Sequence, residues 1–274
     1  MRNLINSLAS IMLVIALPGC TDDLPKMDLH VHLTGQSGDN PALRYEKAAA
    51  LSARMGVAFG IAEEINGSDI KSNDRILQER IQLIKKYPLY LGLQLNGPGS
   101  IKLFSKNILV LVDYIMEDAL RFPDKDGKIR LLWYPDVVFN DVQDFMDRYI
   151  DYNLKVLAEP IDIWVNPTYL PESLQPQYDK LWTEKRMKTL IDVCVKNKIA
   201  IEINSRFMIP HKKFIQMAKA AGAHFTFGSN QHDTGIGEIE WSIALAKECR
   251  LVKEDFFIPK RVLPKKKQSV KIKL

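Results

Sequence analysis

The sequence predicts an α/β fold of seven strand-plus-helix units on a parallel sheet. Three observations predict it. Short apolar runs alternate strictly with longer segments of 3.6-residue period, and the short runs are apolar on both faces, as strands covered on both sides by helices must be. The length of 274 residues, 46% hydrophobic and 26% charged, suits one large core with appendages. Disorder, collagen, coiled coil and a polytopic membrane protein are excluded by the same composition. Alternation alone fits a closed barrel and an open doubly wound sheet equally.

The elements follow in order. Residues 26–33 form the first strand, and a helix over 41–55 opens on Asn40-Pro41, because proline fits the first helical turn. Gly56 ends that helix, 57–62 is the second strand and 73–86 the next helix. The third strand, 90–95, stops at Asn96-Gly97-Pro98-Gly99, followed by a short helix over 100–107 and a fourth strand over 108–115. Residues 121–133, with Pro123 and Asp126-Gly127, read as an insertion, and 136–157 as mixed helical pattern. Strand 161–166 leads into the proline-rich loop 167–176. Helix 183–197, strand 199–204, helix 210–221, strand 224–228 and helix 238–249 complete the series.

The two ends differ from this body. Residues 1–20 combine Arg2, an apolar stretch over 8–17 and Leu17-Pro18-Gly19-Cys20, too short to span a bilayer stably and patterned as an export signal. The ending resembles the lipobox of bacterial lipoproteins, which implies a lipid anchor on Cys20 and an exported protein of the cell envelope. Residues 260–274 hold seven basic side chains and no acid and Arg2 adds one more, so residues 3–259 sum to −3, and this mildly acidic body, with a domain over 24–259, carries no sign of a nucleic-acid partner. Cys194 and Cys249 sit in apolar helical patterns and are expected as buried free thiols.

In either architecture the chemistry gathers where the C-terminal ends of the strands meet. The first end reads Asp28-Leu29-His30-Val31-His32, and residues two apart on a strand point the same way, so the two imidazoles project together as ligands of one cation must. The later ends carry Glu63 and Glu64, Gln94 and Asn96, Glu117 and Asp118, Asn166, Glu202 and Asn204, and Asn230 and His232. Each has a plain explanation as a cap or turn residue; together they describe a wet, acidic site around a cation. Trp133, Tyr134, Trp164, Tyr169 and Trp182 fall in or beside loops at the same mouth, where aromatics suit a flat ligand or the core.

Asp28-Leu29-His30-Val31-His32, the strand ending at Glu63-Glu64, Ile201-Glu202-Ile203-Asn204-Ser205 and Gly228-Ser229-Asn230-Gln231-His232, in that order, resemble the polymerase and histidinol phosphatase (PHP) family. The resemblance implies a distorted seven-stranded (β/α) barrel, bound zinc, manganese or iron, and phosphoester hydrolysis by metal-activated water. Position by position, His30, His32 and His232 match family ligands, and Glu64 stands where another binds. The chain departs from the family at Gln94, Asn166 and Asn230, neutral where the family binds metal, and the fourth-strand histidine is absent with Asp118 near its place. Fewer anionic ligands hold fewer ions, so one or two metals, or none, are expected rather than three.

The resulting expectation is a metal-dependent hydrolase of a small phosphoester. His30, His32, Glu64 and His232 hold the cation, Glu63 or Asp118 takes the proton of the attacking water, and Gln94, Asn166, Glu202, Asn204 and Asn230 contact substrate. Asp28 or Glu202 would orient the imidazoles. A surface-anchored barrel that binds a ligand without catalysis is the alternative.

Overall fold

The structure is a computed structural model that describes residues 24–33, 41–232 and 235–260. The expected leader with Cys20, the tail beyond Lys260 and the helix-opening Asn40 lie outside the described residues. Seven parallel strands run β1 (Met27–Val31), β2 (Ala58–Glu64), β3 (Tyr90–Leu95), β4 (Tyr114–Glu117), β7 (Ile163–Trp164), β8 (Ala200–Asn204) and β9 (Phe225–Gly228), neighbours in that order. The last strand returns to the first: the Asn230 amide donates to the His30 carbonyl at 2.9 Å, the His32 amide to the Gln231 carbonyl at 3.1 Å, and Val31 bridges Gln231. The sheet is therefore a nearly closed barrel, ringed by α1 (Pro41–Met55), α2 (Ile70–Ile84), α3 (Lys106–Leu109), α4 (Val142–Val156), α5 (Tyr178–Leu181), α6 (Glu184–Asn197), α7 (Lys212–Ala220) and α8 (Glu240–Glu248).

Most boundaries fall within a few residues of expectation. The fourth strand does not: the apolar run over 108–112 begins inside α3, buries Ile108 and leaves Val110 68% exposed, and the strand starts only at Tyr114. A short apolar run has no periodicity that separates strand from helix. Asp113 then ends the connection by accepting the Leu91 amide at 2.8 Å, which sets β4 beside β3. The insertion forms an antiparallel hairpin of β5 (Arg121–Pro123) and β6 (Ile129–Leu131). Helix α4 starts where Asp141 accepts the Gln143 and Asp144 amides, a side-chain cap that satisfies otherwise unpaired donors. Cys194 and Cys249 are buried free thiols, as expected.

Alternation along each strand sorts side chains into two layers. Phe59, Ile61, Leu91, Leu93, Ile201, Ile203, Phe225 and Phe227 face the helices, while Leu29, Ala62, Tyr114, Met116, Ile163, Val165 and Ala200 pack a separate cluster inside the barrel. Tyr114 crosses that interior to donate to the Leu29 carbonyl at 2.7 Å. It has room because Gly60 and Gly92 flank it; a Cβ on Gly92 would stand 2.7 Å from its hydroxyl and closer still to its ring. Gly92→Ala is therefore expected to lower stability by about 1–3 kcal/mol through overpacking. A urea titration that leaves the midpoint unchanged would refute this.

Candidate active site at the C-terminal mouth of the barrel

Above the apolar floor lies a cavity of about 290 Å³ into which the strand ends project. Its first wall depends on a bulge. Along β1, Asp28 pairs with Phe59 but Val31 pairs with Ile61, so three steps on one strand match two on the next. An extra residue reverses the facing of all that follow. Leu29 thus packs in the barrel floor, and His30 and His32 still turn inward while Val31 joins the outer core. Without the bulge, the side of the strand that buries Leu29 would turn both histidines outward.

The two imidazoles meet with their Nε2 atoms 3.0 Å apart, and His32 stacks on His232 with ring centroids 4.3 Å apart and planes within 1°. His30 Nδ1 lies 2.6 Å from Glu202 Oε1. That carboxylate sets the tautomer: Nδ1 carries the proton and Nε2 faces the other rings. Burial pulls the His30 pKa down, but the charge and hydrogen bond of Glu202 outweigh it and the net shift is upward. His32 goes well below its ordinary value through burial and the charges of His30, His232 and Arg206.

Glu202 is also the hub of a polar layer. Its Oε2 accepts the Asn166 amide at 2.7 Å and the Asn204 side chain at 3.0 Å. Asn166 Oδ1 accepts from Asn204 at 3.0 Å and from Asn230 at 2.8 Å, while its Nδ2 donates to Asp118 Oδ2 at 2.8 Å. Asn166 and Asn230 both have φ of 49°, a left-handed conformation that asparagine tolerates better than most residues. Asp118 also accepts the Leu120 amide, and burial raises its pKa against these bonds. Gln94 lines the cavity with its Oε1 unpartnered.

Glu63 is a correction. Glu64 lines the cavity, but Glu63, the next residue back on β2, faces the helices, where it accepts the Tyr45 hydroxyl at 2.6 Å and pairs with Arg80 at 3.4 Å. It does not line the cavity. Asp28 touches no imidazole ring either; it accepts the amides of His30, Ser229 and Gly237 at 2.9–3.1 Å and so fastens β1 to the segment after β9. Among the aromatics, Trp164, Tyr169 and Trp182 are core, and Trp133 lines the cavity.

One cavity cation, Arg121 at the start of the hairpin, was not legible as such. Of the cations that the sequence places after the sixth barrel strand as nearest to the site, Arg206 lines the cavity, whereas Lys212 and Lys213 pair with Glu248 and Glu184 on the surface. Spacing places a hairpin side chain nowhere, so only the polar run around Arg121 beside a strand end pointed toward it.

The donor set does not fit a multinuclear cluster. Among the described residues no group of three or more His, Cys, Asp or Glu converges on one point, and neutral amides occupy the places between them. What remains is the His30–His32 pair, whose Nε2 atoms lie within hydrogen-bond distance of each other, with Glu202 holding the outer nitrogen of His30 as carboxylates hold metal-binding histidines.

No family model and no curated protein matches the sequence. Among solved structures, the chain is similar to a Listeria monocytogenes protein proposed to be a histidinol phosphatase, with TM-score 0.49 and 14% identity over 74% of this chain and 94% of that one. It is similar also to a variant of the citrate synthase SbnG, with TM-score 0.38 and 15% identity over 81% and 95% of the two chains. A citrate lyase from Burkholderia xenovorans gives TM-score 0.35 and 10% identity over 81% and 77%. At these identities the likeness is one of chain path.

Proposed function

We propose that the chain is a hydrolase, a divergent relative of the PHP phosphoesterases, whose mouth holds one divalent ion, zinc, manganese or iron, on His30 and His32. The observation that carries this reading is the pair of Nε2 atoms 3.0 Å apart with Glu202 fixing the outer nitrogen of His30. When bound, such an ion polarises an ester oxygen and acidifies a water molecule. The protein's own groups supply the rest. Asp118, buried and held by Asn166 and Leu120, is the carboxylate placed to take the water's proton. Its upward pKa brings it nearer to neutral pH as a base. Arg206, held by the Asn230 carbonyl at 3.0 Å, supplies positive charge beside His32 for an anionic substrate oxygen. Gln94 and Asn230 line the pocket as substrate contacts, Asn204 supports Asn166 and Glu202, and Glu64 and His232, lining the same cavity, would be the further groups to hold an ion. The protein works outside the cytoplasm, held to the envelope by lipid on Cys20.

The second reading, a ligand-binding barrel without catalysis, is favoured by the completeness of the amide layer, in which Asn166 has its side-chain oxygen and nitrogen both hydrogen-bonded. Metal content separates the two. Mass spectrometry of the chelator-free protein is expected to find about one equivalent of zinc, manganese or iron, lost in His30→Ala/His32→Ala. If both proteins are folded and metal-free, the hydrolase reading fails.

A further inference from the structure

We propose that the β5–β6 hairpin gives the cavity a selectivity subsite for a flat ring bearing an oxyanion, Arg121 reading the anion and Trp133 the ring. The inference rests on the reading of this cavity as the substrate site, and on observations that the hydrolytic chemistry does not use. The hairpin is not part of the barrel; it leaves β4 within three residues and returns along the rim of the mouth. It is also held firmly. Phe122 is 1% exposed and packs edge-on to Phe145 and Tyr149, and the Tyr152 hydroxyl donates to the Arg121 carbonyl at 2.9 Å.

Arg121 Nε donates to Asn96 Oδ1 at 2.8 Å, which fixes the plane of the guanidinium while committing, among the described residues, one of its five donors. The guanidinium carbon stands 5.8 Å from the centre of the Trp133 ring, and both side chains line the cavity. Trp133 packs edge-on with Tyr134 at 5.8 Å and is nonetheless 38% exposed, so indole surface remains on which a ring can stack. Arg206 serves the other side: it lies near His32, whereas Arg121 lies near Glu64. Two separated cations, one beside the histidines and one beside an exposed indole, suit a substrate whose non-reacting part is itself anionic and aromatic. A planar fork matches carboxylate and phosphoryl oxygens alike.

Calorimetric titration of the full chain with ligands that are not hydrolysed tests this. Phenylphosphonate and benzoate represent the two oxyanions, benzamide the uncharged ring, and inorganic phosphate the anion without a ring. The parent is expected to bind phenylphosphonate or benzoate about tenfold or more tightly than benzamide and inorganic phosphate. Arg121→Gln should bring the anionic rings down to the benzamide level, and Trp133→Leu should bring them down to that of inorganic phosphate. Arg121→Lys, which keeps the charge but loses the fork, should fall between parent and Arg121→Gln, and a melting curve like the parent's shows that the hairpin stands. Affinities within twofold of the parent in Arg121→Gln, or inorganic phosphate binding as tightly as phenylphosphonate, would overturn the proposal. His30→Ala/His32→Ala separates the two readings: ring-anion binding retained there without metal leaves the subsite standing even where hydrolysis has failed.

Discussion

Glu202→Ala is expected to lower the unfolding free energy by about 3–5 kcal/mol, the scale on which one partner of a buried charged pair is missed. The side chain is fully buried, and its two oxygens serve His30 Nδ1, the Asn166 amide and the Asn204 side chain at 2.6–3.0 Å. Truncation leaves three buried donors without an acceptor, each costing about 1–3 kcal/mol before relaxation. No neighbour collapses into the gap cheaply, since Gly228 already packs its bare Cα side against Glu202 Oε1. The loss should depend on pH. Glu202 raises the His30 pKa, so its stabilisation is fully present below the ordinary histidine value of 6.5 and is lost as pH rises through the higher folded value. The penalty of Glu202→Ala is therefore larger on the acid side of that window than on the alkaline side. Glu202→Gln keeps volume and one acceptor and should lose roughly half as much. Urea titrations across this range decide: an alanine variant within about 0.5 kcal/mol of the parent would show that the hub contributes nothing net.

What could be read in the sequence follows from which signals are local. Two-residue spacing places His30 and His32 on one side of a strand whatever the fold, and Glu202 with Asn204 obeys the same parity on β8. Parity does not say which side faces the barrel. That is why Glu63 and Glu64 were indistinguishable until the register of β2 against β3 put Glu64 beside Gln94. The bulge in β1 is likewise invisible, because it consists of one unpaired residue in Met27–Val31, where polar and apolar residues alternate without a break in pattern. Arg121 and Trp133 reach the cavity through a hairpin whose path depends on Phe122 finding the aromatic cluster of α4, a contact between segments more than twenty residues apart. The apolar run over 108–112 misled for the opposite reason: its local signal was strong, and tertiary packing chose helix over strand.

Glu117→Gln is expected to stabilise the protein at alkaline pH by about 2–4 kcal/mol and to do nothing of the kind in acid. Glu117 follows Met116 on β4, so it faces away from the barrel floor and into the helix layer, fully buried. Among the described residues neither carboxylate oxygen has a hydrogen-bond partner of full geometry, with the Gly97 amide a weak polar neighbour. Burial, and then the nearby Glu159 and Asp118 carboxylates, push its pKa up to about 8 from the ordinary 4.5. A folded value above the unfolded one means that the native state holds the extra proton between those limits. Stability accordingly falls as pH rises from 4.5 toward about 8, with full loss above it. A glutamine of the same shape never acquires the charge, so its profile should lack this slope. In acid it gains nothing, and its buried amide costs about 1 kcal/mol where the protonated acid was nearly neutral. The two stability curves should therefore cross between about pH 5 and pH 8. Curves that run parallel through that interval would mean that Glu117 is ionised in the native state and that a partner satisfies it.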